Sequence, residues 1–213
     1  PQRTRAKGAV RAGLRYIKSL PSLWISFAML AAIGTLAYNF SVTLPLFVTD
    51  TLHSTDTVFT LLYSVFSVGA VVSALIVAQR NLVRLEHIIY GAAALGLTML
   101  LLAAVPGVNF AIPAVFFVGV ASILYMTSTT AIVQVEAKPE MHGRVLALQM
   151  VLVAGTTPIG GPLLGWLADT LGGRAPIVLG GIVCLFAAAF GYYAVHHYVD
   201  QAPNLTQSAD PLP

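Results

Sequence analysis

An all-α membrane protein is the fold class this sequence predicts, on three observations. Apolar residues make up 57% of the chain and charged ones only 9%, where a soluble domain carries about 25% charged. There is too little polar surface to coat a globule in water. The charges are also clustered: residues 19–49, 57–79, 87–135, 145–168 and 175–199 contain no Asp, Glu, Lys or Arg. Finally, these runs do not alternate polar with apolar positions as the strands of a membrane barrel do, which leaves helices.

The elements follow in chain order. Residues 1–20 are basic. In "QRTRAKGAVRAGLRYIKS" (2–19), Lys7, Arg11, Arg15 and Lys18 fall on one helical stripe, with Val10, Leu14 and Ile17 beside it. That pattern predicts an amphipathic helix at the cytoplasmic interface, its basic side toward anionic headgroups. The membrane accounts for these charges, so no nucleic-acid partner is expected. A spanning helix needs about 20 apolar residues. The third uncharged run is too long for one span, and "VPGVN" at 105–109 divides it, because Pro-Gly is a strong turn signal. Six spans result, at about 23–48, 57–79, 87–105, 109–134, 145–168 and 175–197, within a domain of residues 21–198. Residues 199–213, polar and Pro-containing, read as a disordered cytoplasmic tail.

Orientation follows from the Lys and Arg of the short loops. Arg3, Arg5, Lys7, Arg11, Arg15, Lys18, Arg80, Arg84, Lys138 and Arg144 all fall on one side if six helices alternate, and Arg174 on the other. Both termini are therefore expected in the cytoplasm, in a multi-pass protein of the plasma membrane. The single cysteine, Cys184, lies in an apolar run and reads as a small core residue.

No acid or base lies in the middle of a span, where ionisable residues usually mark proton or ion paths. There is no zinc-ligand spacing and no nucleophile beside a base. No catalytic residue, metal or cofactor is expected, and the chain is not read as an enzyme. His53, His87, His142, His196 and His197 lie near loops or span ends.

Uncharged polar residues are more informative. Thr35, Asn39 and Thr43 recur every four residues in span one, beside Tyr38. Span two carries Tyr63 and Ser67, span four Ser122, Tyr125 and Thr129, and span five Gln149, Thr156 and Thr157. Spans three and six are almost wholly apolar. The order mixed, mixed, apolar thus occurs twice, suggesting two three-helix units whose third helices face lipid. Two readings of the polar set stay open. The hydroxyls glue helices together through backbone bonds, or Thr35, Tyr38, Asn39, Tyr63, Tyr125, Thr129 and Gln149 line a path for a small-molecule substrate. The amides of Asn39 and Gln149 are the most costly to bury unpaired.

The stretch "GTTPIGGPLLG" (155–165) places four glycines and two prolines inside an uncharged span. Gly161 and Gly165 share a face, widened by Gly160, so helices can approach closely there. Pro158 and Pro162 remove two backbone donors, which predicts a bend. Gly155, Gly160, Gly161, Pro162 and Gly165 are therefore expected to form a close-packed, bent crossing.

"GTTPIGGPLLGWLADTLGGRAP" resembles the eleventh helix and following loop of the major facilitator superfamily. "QVEAKPEMHGRVLALQ" resembles that family's loop between helices ten and eleven, and "GAVRAGLRYIKSLPSLW" its central linker entering helix seven. The resemblance covers the chain to about residue 198 and fits best the drug- and siderophore-efflux branches, of transmembrane secretion effector type. It implies the carboxy-terminal half of a twelve-helix fold, built as two inverted three-helix repeats, with an amino-terminal six-helix half as its partner. Gly165, Asp169, Gly172 and Arg174 fit the family's Gly-x-x-x-Asp-x-x-Gly-x-Arg loop motif. By the same resemblance Asp169 and Arg174 are outer latch residues, and Glu140 and Arg144 cytoplasmic ones. "AQRNLVRLEH" lacks the Gly and Asp of the family's cytoplasmic motif. The function so implied is secondary active transport by alternating access, as an exporter of small amphipathic molecules. A non-transporting six-helix scaffold or accessory subunit is the alternative.

Overall fold

The structure is a computed structural model that describes residues 6–79 and 85–199, with side chains from 11 to 79 and 85 to 197. The basic residues Arg3, Arg5, Arg80 and Arg84, the Lys7 and Val10 side chains and the tail from residue 200 lie outside this description.

Every described element is helical. Helix α1 (Ala6–Ser19) precedes α2 (Pro21–Leu36), and Pro21 stands at the first helical position, where a missing N–H costs nothing. A short break separates α2 from α3 (Phe40–Leu46), which runs into a π-helical turn at Phe47–Thr51. Then come α4 (Asp56–Ala78), α5 (Leu85–Ala104), α6 (Val108–Glu136), α7 (Pro139–Leu171) and α8 (Ala175–Ala194), the last extended by a π-helical turn at Val195–Val199. Six of these segments, counting Pro21–Thr51 as one, are long and apolar enough to span a membrane. The helix that departs most from its expected span of 145–168 is α7. That helix starts at Pro139 and, at 33 residues, is about 50 Å long, well beyond a hydrocarbon core of about 30 Å.

Helix α1 uses this overhang. Gly13 packs against Leu148, and the Lys138 backbone N–H donates to the Tyr16 hydroxyl at 2.9 Å. Ile17 is buried, while Leu14, placed by its spacing on the same apolar stripe, is exposed. The helix therefore docks on protein through Gly13, Tyr16 and Ile17 and leaves Arg11, Arg15 and Lys18 outside.

Within the bundle α4 packs along α6, α5 lies against both α6 and α8, and α2 lies against both α7 and α8. Exchanging spans one, two and three for four, five and six maps α4–α6 onto α2–α7, α5–α6 onto α2–α8, and α5–α8 onto itself. Backbones touch where glycine allows it: a side chain on Gly69 would enter the Phe116 carbonyl and one on Gly119 the Phe66 carbonyl. Likewise, a Cβ on Gly96 would lie 2.8 Å from the Gly181 oxygen, and one on Gly181 3.0 Å from the Gly96 oxygen.

This arrangement corrects the expectation that spans three and six simply face lipid. Half of the α5 span and 44% of the α8 span are buried inside the bundle, against 17% for α4 and 22% for α7. With few polar groups and several glycines, α5 and α8 form the central seam and show only their outer sides, such as Leu97, Leu101 and Phe186. The broadly open helices are α4 and α7.

Candidate functional site

Span one is interrupted at Ala37–Asn39. The N–H groups of Ala37 and Tyr38 both donate to the Ile33 carbonyl, at 2.8 and 2.9 Å. The helical ladder slips there. Asn39 repairs it: its Nδ2 donates to the carbonyls of Thr35 at 2.9 Å and Gly34 at 3.3 Å. Its own carbonyl then accepts from the Val42 and Thr43 N–H groups, both at 3.0 Å, and starts α3. One residue thus closes a half-helix and opens the next. In lipid such a break survives only when freed backbone groups find partners of this kind.

Helix α7 crosses at this break. A Cβ on Gly160 would drive into the Thr35 carbonyl and lie 2.6 Å from Asn39 Nδ2. One turn away, a Cβ on Gly34 would lie 3.3 Å from Thr156 Oγ1. Asn39 is 1% exposed and Thr156 is buried. The crossing is buried, close and lined by backbone. Asn39 Oδ1 has no hydrogen-bond partner.

The other candidate path residues take different places. The Tyr38 hydroxyl donates to the Ser122 carbonyl at 2.8 Å, tying the break to α6. Tyr125 is fully buried near Cys184. The Thr129 hydroxyl bonds back to the Tyr125 carbonyl at 2.9 Å, and that of Thr35 to the Ala31 carbonyl at 2.7 Å. Gln149 Nε2 donates to Thr130 Oγ1 at 3.0 Å, joining α7 to α6. Asn39, Tyr125, Thr129 and Gln149 are thus inside the bundle rather than on a cavity wall. A buried polar group costs little once bonded, which holds for Thr129 Oγ1, Asn39 Nδ2 and Gln149 Nε2 but not for the Tyr125 hydroxyl or Gln149 Oε1. Of these four, Gln149 bonds to a neighbouring helix, Thr129 and Asn39 bond to the backbone of their own span, and the Tyr125 hydroxyl is buried without a partner.

Tyr63 alone of the seven is exposed, at 41%. It belongs to a polar stripe on the open face of α4, with Thr60, Ser64 and Ser67, and its ring stacks on Phe66 with centroids 6.0 Å apart. Thr60 and Ser64 escaped the sequence reading, although their spacing of four from each other and from Ser67 by three was visible.

The Gly-Pro run lies inside α7. Helix α7 is continuous through Pro158 and Pro162. A Cβ on Gly155 or Gly165 would meet nothing within 4 Å, and one on Gly161 would make only an ordinary contact with Val42. Pro162 is exposed. Of the glycines in this run, only Gly160 is close-packed against the rest of the chain.

The latch pairs are not formed as pairs. Glu140 is exposed, and the Arg144 guanidinium reaches Met141 Sδ at 3.6 Å. Asp169 is exposed, while Arg174 Nη2 donates to the Val105 carbonyl at 2.9 Å, tying the α7–α8 loop to the α5–α6 loop. Gly172 ends α7 with φ +89°, a conformation that suits glycine. Gly173 packs on the Leu46 carbonyl at the end of α3. Loops that alternating spans place on one side of the membrane therefore do meet.

Six apolar helices long enough to cross a membrane define a multi-pass membrane protein. A family model described as "Transmembrane secretion effector" matches residues 2–211, and the chain belongs to that family, within the major facilitator superfamily. No curated protein and no solved structure matches the chain.

Proposed function

We propose that this chain is one half of a secondary active transporter that exports small amphipathic molecules by alternating access. Its partner is an amino-terminal six-helix half facing α4 and α7, and its two triples of spans are inverted repeats. One observation carries the reading: the break in span one, held by Asn39 and crossed by Gly160. A helix in two pieces turns about its break while each half stays intact, and a glycine crossing offers little to obstruct that motion. Transporter sites are characteristically built where discontinuous helices meet. The open polar stripe Thr60, Tyr63, Ser64 and Ser67 supplies hydroxyls and an aromatic ring without charge, which suits an amphipathic substrate. The plasma membrane, with both termini in the cytoplasm, is the location proposed from the basic loops.

The test is transport of lipophilic fluorescent drugs into sealed vesicles carrying the natural gene product, under imposed ion gradients. Gradient-driven movement that Gly160→Ala slows, at equal protein in the membrane, is the expected result. Equal movement by wild type and variant sinks the hinge. Absence of movement across the whole panel and every gradient sinks the export of such molecules and favours a scaffold.

A further inference from the structure

On the outer face of the bundle α2 and α8 leave a trough between them. Near the start of α2 it is a groove of about 510 Å³ lined by Lys18, Pro21, Trp24, Ile25, Phe190 and Ala194. Farther along the same two helices is a second groove of about 350 Å³, whose floor and walls include Ala28, Ala32, Leu36, Val183 and Phe186, and which shares Phe190 with the first. The two meet at Phe190 and lie in line along α2 and α8. Positions 21, 24, 25, 28, 32 and 36 follow each other along one helical face. Alanine at 28 and 32 makes the depression, and exposed Trp24, Phe186 and Phe190 raise its sides.

The trough has a polar mouth and an apolar length. Lys18 stands at the mouth, its Nζ 5.8 Å from the centre of the Trp24 ring. Arg15 and Arg11, exposed one and two turns back on α1, extend the positive charge. Among the described residues no acidic side chain lines either groove. Lys18 precedes the span by three residues, which puts it at the headgroup level, where Trp also concentrates. From Trp24 to Leu36 the trough runs twelve residues, or about 18 Å. One leaflet of hydrocarbon is about 15 Å deep. A cation over an apolar slot one leaflet long has the dimensions and charge of an anionic phospholipid.

We infer that this trough is a binding site for an anionic phospholipid of the adjacent leaflet. The phosphate lies at Lys18 and Arg15, and one acyl chain runs over Ala28 and Ala32 between Trp24 and Phe190. Such a lipid holds α1, α2 and α8 together at the end of the span that is interrupted farther along. The inference requires that the chain span a membrane and does not depend on what it transports.

The experiment uses the natural gene product with Trp24 as its sole tryptophan, in nanodiscs of phosphatidylcholine containing either phosphatidylglycerol or phosphatidylcholine with brominated acyl chains. Bromine quenches indole on contact. Brominated phosphatidylglycerol is expected to compete for the Trp24 site well above its mole fraction. Lys18→Gln is expected to lower that preference about fivefold, the effect of one basic side chain near an anionic surface. Ala32→Phe, at an exposed position that tolerates bulk, is expected to abolish it by filling the slot while leaving Lys18 in place. Equal quenching by the two lipids in the parent would mean ordinary annular lipid and overturn the site. Preference that survives Ala32→Phe would mean headgroup attraction without the trough, and also overturns it. A Trp24 that no lipid quenches would mean that protein, not lipid, covers this face, and likewise overturns the site.

Discussion

Span one and span five invert what their sequences advertise. Span five carries Gly155, Pro158, Gly160, Gly161, Pro162 and Gly165, yet α7 runs unbroken from Pro139 to Leu171. Span one breaks at Ala37, Tyr38 and Asn39, with no glycine or proline among the three. The difference lies in what supplies the missing hydrogen bonds. Proline removes a donor, but in an apolar surrounding the rest of the helix gains nothing by opening further. At Asn39 a side-chain amide offers two donors to Gly34 and Thr35, so the ladder can slip at little cost. Breakers loosen a membrane helix, whereas a replacement partner is what permits a break. The two spans also depend on each other, since the glycine that matters in α7 is the one beneath the break in span one.

The largest effect that would break this comparison is at Gly160. Gly160→Leu must push the Thr35 carbonyl and the Asn39 amide apart, and overpacking of this kind costs about 1–3 kcal/mol or more. A clear fall in the melting temperature of detergent-solubilised protein is expected. An unchanged melt would mean that the crossing is loose. Asn39→Leu comes next: it strips two buried carbonyls of their donors, at about 1–3 kcal/mol for a group left unsatisfied. Its melt should fall nearly as far, and amide exchange at residues 36–40 should speed up. If exchange there is unaltered, the side chain is not what holds the break.

Tyr38→Phe removes one bond to Ser122 and leaves the ring in place, so a loss of about 1 kcal/mol is expected from the same melts. A double-mutant cycle with Asn39→Leu would sharpen the picture, because the two anchor one break and should not add. The smallest effect belongs to span five. Gly155→Ala and Gly165→Ala meet open space in this chain and should stay within about 0.5 kcal/mol of wild type. A large loss at either would place a further partner helix against that face of α7, as the proposed amino-terminal half requires.

Much of this architecture was legible in the sequence. Uncharged length located six spans, Pro106-Gly107 divided the long third run, and Asn39 stood out as a carboxamide amid apolar residues. Its role was not legible, because a side chain bonding four and five residues back is a local geometric fact with no periodic signature. The burial of Tyr125, Thr129 and Gln149 was hidden for another reason. A hydroxyl or amide in a span looks the same whether it faces a cavity or a neighbouring backbone, and only packing distinguishes the two. Close packing at Gly160 but not at Gly165 likewise depends on where α2 crosses, which small residues allow without fixing. The central position of α5 and α8 was missed because lipid and protein interiors are equally apolar, so composition alone does not tell them apart.

Cys184 is the only cysteine in the sequence, and it is fully buried in α8. Water-soluble thiol reagents therefore find no target among the native side chains of this chain. A cysteine introduced at Ser67, Gly155 or Gly165 would be labelled against a silent background, with the native sequence otherwise intact. Its rate of modification would report, position by position, when the open faces of α4 and α7 are wet and when they are covered.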